Sequence, residues 1–251
     1  MRTKPRLMLV LPAIGLMIAC RGGDSSSSAG PVGASGTLNR YTTSFPLKEN
    51  PISEGGRWIN GGAEGLDWTN VSTTTGLAIG HQIAANFTDA TALLTGAWGP
   101  DQMASATVYT VSQNDPCFQE VELRLRSAIS AHVSTGYEIN FHLSHTASAY
   151  LQIVRWNGPL GSFDYLSNTA GAQFSVKNGD VVSAKIVGNV ITAYINGVQK
   201  ARVDIASIGG AVYTTGNPGM GFNLDNAPAG CSGTNGNYGF TNYTATDRAL
   251  P

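Results

Sequence analysis

Glu120-Val-Glu-Leu-Arg-Leu-Arg-Ser-Ala-Ile-Ser-Ala-His-Val-Ser134 is the stretch that decides the fold. Val121, Leu123, Leu125, Ile129, Ala131 and Val133 share one parity, and Glu120, Glu122, Arg124, Arg126, Ser130 and His132 share the other. Successive side chains on an extended strand point to opposite faces. The spacing therefore predicts one apolar face and one wet face, the pattern of sandwich strands. A turn is expected to split the run near Ser127. Residues Tyr137 to Ser144 repeat the pattern, with Tyr137, Ile139, Phe141 and Leu143 alternating with Glu138, Asn140, His142 and Ser144.

Outward from this run, turn residues punctuate the chain. Gly188-Asn189 separates Val181–Val187 from Val190–Ile195, and Asn196-Gly197 leads into Val198–Ile205. Asn-Gly tolerates the positive φ angles that two-residue hairpin turns require. Further strands are expected at Arg40–Phe45, Ala92–Trp98, Ala104–Val111, Tyr150–Trp156, Ala172–Val176, Gly219–Leu224 and Tyr238–Ala245. No stretch has the length, caps and 3.6-residue period of a helix, and no repeat suggests a propeller. A dozen or so short antiparallel strands without a linker predict one all-β domain over residues 38–248, a two-sheet β-sandwich or jelly roll.

Composition agrees. Only 12% of the 251 residues are charged and 31 are glycine, which excludes a helical bundle, while 42% hydrophobic residues exclude a disordered chain. The net charge is −1 and the body has no Lys/Arg cluster, which argues against a nucleic-acid partner.

Residues 1–19 read as an address. Arg2, Lys4 and Arg6 precede the apolar run Leu7 to Ile18, too short for a permanent membrane span. The run ends Leu16-Met-Ile-Ala-Cys20 and is similar to the lipobox of bacterial lipoproteins, which implies a lipid anchor on Cys20. A Gly/Ser tether over residues 20–37 then holds the domain off the membrane. The expected location is the cell envelope, lipid-anchored; ordinary secretion with cleavage after Ala19 is the alternative. Two further cysteines, Cys117 and Cys231, are an even pair in a compartment that permits disulfides, so a bridge is expected. Their wide separation does not suit zinc.

Gly179-Asp-Val-Val-Ser-Ala-Lys-Ile-Val-Gly-Asn-Val-Ile-Thr-Ala-Tyr-Ile-Asn-Gly197, followed by a strand ending Val203-Asp204, resembles the paired strands of concanavalin A-like lectin/glucanase and laminin-G-like domains. Gly216-Asn-Pro-Gly-Met-Gly-Phe222 resembles their next, Gly-rich strand. Tyr238-Gly-Phe-Thr-Asn-Tyr-Thr-Ala-Thr-Asp247 resembles their last strand, which pairs with the first. The resemblance implies a concanavalin A-like jelly roll, a superfamily of binders and enzymes alike.

Glycanases of this fold carry Glu-x-Asp-x-x-Glu or Glu-x-Asp-x-Glu on a cleft strand. The matching positions here make Glu120 and Glu122 the candidate catalytic pair. Arg124 and Arg126 stand at the next same-face positions, and a guanidinium beside Glu122 is expected to lower its pKa and spoil it as a proton donor. Jelly-roll lyases of the alginate-lyase type offer a second comparison. Glu122-Leu-Arg124 and Gln152-Ile153 match their strands, but Val154 stands where they carry His. His142 and His145 differ in parity, and His81 and His132 have no acidic or Cys company at ligand spacing, so no histidine metal site is expected. No cofactor is expected beyond structural calcium, for which Asp247 with loop carbonyls near Glu54-Gly-Gly56 is the candidate.

Glu122, Arg124, Glu138, Asn140, His142 and Gln152 remain, all on the non-core side, with Trp156 in the parity of Gln152. Planar donors and acceptors beside an aromatic ring are what sugar recognition needs. Glu122, Arg124, Asn140, His142, Gln152 and Trp156 are accordingly the candidate ligand-binding residues for a polysaccharide or oligosaccharide. Arg124, Arg126 and Arg155 are candidates to hold a uronate. The alternatives are a glycan-cleaving enzyme, hydrolase or lyase, and a structural or adhesion module.

Overall fold

Period-two alternation is realised as fifteen strands in a computed structural model that describes residues 38–81, 89–111, 118–144, 146–225 and 234–248. Four short strands come first: β1 (Arg40–Thr43), β2 (Trp58–Asn60), β3 (Ser72–Thr74) and β4 (Leu77–Ile79). The middle of the chain forms β5 (Ala90–Leu94), β6 (Gln102–Thr110), β7 (Phe118–Ser130), β8 (Val133–His142), β9 (Tyr150–Gly158) and β10 (Phe163–Ala170). The remainder forms β11 (Val181–Val187), β12 (Val190–Ile195), β13 (Val198–Asp204), β14 (Asn217–Asp225) and β15 (Tyr238–Thr246).

The strands make two antiparallel sheets. One has eight strands, ordered β13-β12-β11-β6-β15-β4-β3, with β1 also on β15; the other has seven, ordered β10-β9-β8-β7-β14-β5-β2. The first strand pairs with the last, Arg40 opposite Thr246 and Thr43 opposite Tyr243. Between the sheets lies one apolar core. Val121, Leu123 and Leu125 of β7, with Ile139 and Phe141 of β8, meet Ala104, Ala106 and Val108 of β6 and Val182, Ala184 and Ile186 of β11. Burying each large side chain in it contributes about 1.5–3 kcal/mol.

The expected hairpin turns form where the sequence places them. Val187 pairs with Val190 and Ile195 with Val198, while Gly188, Asn196 and Gly197 take φ of 54°, 50° and 75°. The turn expected near Ser127 does not form. The strand runs on to Ser130 and turns at Ala131–His132, with φ of 61° at His132. At the expected place there is a β-bulge: Leu125 pairs with Tyr137 and Ala128 with Thr135, so Arg126 and Ser127 together oppose Gly136. Arg126 takes φ of 46°, and Gly136 has φ of 114° with no room for a Cβ beside the Arg126 carbonyl.

The extra residue reverses parity beyond it. Ile129, expected beside Leu125, instead packs with Trp68 and Trp156 on the sheet's other side. Ala172–Val176, expected as a strand, holds a 3-10 turn over Ala172–Phe174. Strands β2, β3, β4 and β10 carry no alternation strong enough to read; the first three span only three residues each. Cys20, Cys117, Cys231 and His145 lie outside the described residues.

Candidate functional site

The face of the seven-stranded sheet turned away from the core carries the polar set, and it is not wet. Glu122 is 0% exposed, Arg124 1%, Glu138 2%, Asn140 6% and His142 5%. The expectation of a solvated patch is corrected by what covers it. Leu66 and Trp68, from the connection between β2 and β3, pack on Val154 and Trp156 as a second apolar cluster. Trp68 meets Trp156 edge-on at 4.5 Å, and the Arg124 guanidinium lies 4.7 Å from the Trp68 ring centroid. The connection is fastened below, where the His132 amide donates to the Gly65 carbonyl at 3.0 Å.

Beneath this cover Arg124 is held by three carboxylates. Its Nη2 lies 2.6 Å from Glu138, 2.7 Å from Glu122 and 3.6 Å from Asp89. Adjacent register brings these groups together: Arg124 opposes Glu138 across β7 and β8, and Glu122 opposes Asn140. Gly221 of β14 lies opposite Glu122, where a Cβ would overlap the Glu122 carboxylate and crowd the Arg124 Nη2. At Gly221 the ion cluster occupies the side-chain space, and at Gly219 the Ala92 carbonyl and Leu93 do.

The electrostatics reverse one expectation. Burial first, then Glu138 and Asp89, push the Glu122 carboxyl well above the ordinary range against the pull of Arg124. Asp89 is likewise raised by burial and Glu138. Burial opposes the charge of Arg124, but Glu138, Glu122 and Asp89 outweigh it and hold the guanidinium charged. Three buried carboxylates thus surround a single cation. Their oxygens lie within 4.8 Å of one another, a spacing that suits a metal ion, but the Arg124 Nη2 lies among them.

Beside the cluster is an open cleft of about 210 Å³. Amides cross its floor. Asn140 donates to Gln152 at 3.4 Å, and Gln152 donates to Asn168 at 3.3 Å. The Asn140 Oδ1, buried in the cleft wall, has no hydrogen-bond partner among the described residues. Tyr165, half exposed, and Phe163 of β10 form an aromatic wall at 5.2 Å edge-on. At the far end Tyr150 and Asn223 both donate to the Glu120 carboxylate, the latter at 2.7 Å. Burial and Glu120 raise the Tyr150 phenol, which keeps it a donor.

Of the residues singled out in the sequence, Glu120, Glu138, Asn140, Gln152 and Trp156 line the cleft; Glu122 and Arg124 are buried beside it. Trp156 is buried rather than marginal, and its indole N–H donates to Glu138 at 2.6 Å. His142 stacks on Tyr150 at 4.5 Å and lies 3.0 Å from the Ser148 carbonyl through Nδ1, and burial lowers its pKa. Tyr150, Phe163, Tyr165, Asn223 and Asp89 were missed. For Tyr165 the parity of β10 is the missing signal, since a register shift between Tyr165 and Ser167 breaks it.

The three arginines expected to hold a uronate are all engaged. Arg126, placed by the bulge, donates to the carbonyls of Pro100, Gly188 and Tyr213 at 2.6–3.1 Å. Arg155 donates to Gly209, Ala211 and Asp164. No Lys, Arg or His is among the described residues lining the cleft, whereas Asp89, Glu120 and Glu138 are. At Asp247, three N–H groups point at the carboxylate, two from Asn39 and one from Gly99.

Similarity to solved structures follows the architecture. Beta-agarase A in complex with oligoagarose covers 85% of this chain over 94% of its own, at 13% identity and a TM-score of 0.51. A chain described among the endo-acting O-glycanases that gut microbiota express to initiate mucin breakdown covers 83% over 99% of its own, at 10% identity and 0.50. The fold is a concanavalin A-like jelly roll. A carbohydrate-binding module of Bacillus subtilis also aligns, over 78% of this chain and 96% of its own, at 12% identity and 0.47. No family model matches the sequence, and no curated protein matches it.

Proposed function

We propose that the cleft on the seven-stranded sheet binds an uncharged stretch of polysaccharide, in a domain that Cys20 tethers to the cell envelope. The observation that carries this reading is the lining of the cleft, where the amides of Asn140, Gln152 and Asn223 stand beside the half-exposed Tyr165 ring. Planar donors and acceptors next to an exposed aromatic face are what sugar hydroxyls and C–H groups require. The half-exposed Gln152 amide extends the polar lining, and the Tyr165 ring offers a face for sugar C–H groups. With three carboxylates and no cation in its lining, the cleft disfavours an anionic sugar unit.

The engagement of Glu122 by Arg124 supports binding rather than catalysis. One observation favours a second reading, glycan cleavage. Asp89, whose carboxyl burial and Glu138 push well above the ordinary range, shares the cleft with Glu120, so two carboxyl groups of unlike environment both line it. A glycan array on the protein, followed by calorimetry with Gln152→Ala and Tyr165→Ala, tests the first reading. Affinity is expected to fall about tenfold in each variant, a loss of roughly 1.4 kcal/mol. Chromatography of the bound glycan after incubation tests the second. Unchanged chain length supports binding alone, and shortened products support cleavage.

A further inference from the structure

A second pocket, of about 160 Å³, lies away from the cleft where the start of β1, the residue before β2 and the end of β5 meet. Its lining includes Asn39, Arg40, Tyr41, Arg57 and Trp98, with the run Leu94–Ala97 as the rest. Arg40 and Arg57 are exposed, and neither takes part in an ion pair among the described residues. They differ in this from Arg124, Arg126 and Arg155, each of which is buried and engaged.

The acids nearby are turned elsewhere. Glu54 accepts from the Tyr41 hydroxyl, from Thr43 at 2.6 Å and from the Trp58 indole at 3.2 Å. Asp247 accepts from the backbone and side-chain N–H groups of Asn39 and from the Gly99 amide. Both carboxylates accept from neutral donors, and neither is paired with Arg40 or Arg57 among the described residues, so the two guanidinium groups lining the pocket are left to meet an anion. The platform between them is built. Asn217 donates to the carbonyls of Leu94 and Gly96, Asn39 to that of Ala97, and the half-buried Trp98 to that of Thr95. The Thr95 amide donates to Arg57 itself and the Thr95 hydroxyl to Gly56, which ties this loop to the one that carries the arginine.

We infer that this pocket binds an anionic sugar unit. Two guanidinium forks suit the oxygens of a carboxylate or sulfate ester, and such charge-assisted bonds are about twice as strong as neutral ones. Trp98 and Tyr41 supply apolar area for the ring that bears the anion. The inference does not depend on the cleft: one site reads hydroxyls, the other a negative group.

The test is calorimetry on the full chain with two anionic probes, oligogalacturonate and sulfated dextran fragments, beside uncharged dextran fragments of equal length. Phosphatidylglycerol vesicles form a fourth arm. At least one anionic oligosaccharide should bind, with affinity that falls as salt rises, and which one binds tells carboxylate from sulfate. Arg40→Ala and Arg57→Ala should each weaken that binding about tenfold, with unchanged melting temperature because both side chains are exposed. Arg57→Gln, which keeps the side chain's length and loses its charge, should weaken it equally should the alanine variant prove unstable. Parent-like affinity in these variants, equal binding of uncharged dextran, or binding confined to the vesicles would overturn the inference.

Discussion

Strands β6 and β8 have nearly the same length and carry the same period-two pattern, but they are buried differently. Along β6 every second residue is buried and those between are half-exposed, whereas β8 is buried on both parities from Tyr137 to His142. The eight-stranded sheet has one covered face. The seven-stranded sheet has two: an apolar one against the core, and a charged one beneath Leu66 and Trp68. Alternation reports which residues share a face. It does not report whether water reaches that face, because the cover comes from a connection remote in sequence.

This comparison is broken most severely at Arg124. Arg124→Met leaves Glu122 and Glu138 buried without their cation and should destabilise by about 3–5 kcal/mol, comparable to truncating Leu123 on the core side. Denaturant titration of the two variants is the check. A parent-like midpoint for Arg124→Met would mean that the outer face is as wet as β6's. Gly221→Ala comes next. Its methyl group overlaps Glu122, and overpacking of this kind costs about 1–3 kcal/mol, readable as a drop in melting temperature.

The pH dependence sharpens the comparison. Asp89 and Glu122 have carboxyls raised in the folded state, so the folded chain holds a proton that the unfolded chain releases above pH ~4. The stability from this source is complete below that value and is lost as pH rises toward the folded-state pKa. Melting temperature should therefore decline as pH rises above about 4, and Glu122→Gln, neutral at every pH, should flatten the decline. A slope unchanged by the substitution would mean that the Glu122 carboxyl is not raised. Gln152→Ala has the smallest expected effect on the fold, about 0.5 kcal/mol or less, because its half-exposed amide lies on the cleft floor.

The sandwich was readable because its information is local. The turns at Gly188-Asn189 and Asn196-Gly197 and the alternation in β7, β8 and β11 each lie within a dozen residues. The candidate site was readable only in part. Parity placed Glu120, Asn140 and Gln152 on one side of the sheet, where the structure has them. It failed at Arg126 and Ile129, because a bulge inserts a residue without any change in composition, and the Gly136 that accommodates it sits on another strand. It also failed for Tyr165, which reaches the cleft from an edge strand whose own register shifts. Nothing in the order of residues shows that three arginines are engaged by carbonyls and carboxylates far along the chain, leaving Arg40 and Arg57 as exposed cations around a second pocket.

The central claim is that the cleft of the seven-stranded sheet is where a glycan sits. A crystal structure of the protein with an oligosaccharide identified on the array tests it most directly. The account predicts a sugar ring against Tyr165 and a hydroxyl within hydrogen-bond distance, about 2.7–3.2 Å, of the Gln152 amide. An uncharged oligosaccharide bound on the eight-stranded sheet or in the loops, with Tyr165 and Gln152 uncontacted, would contradict it.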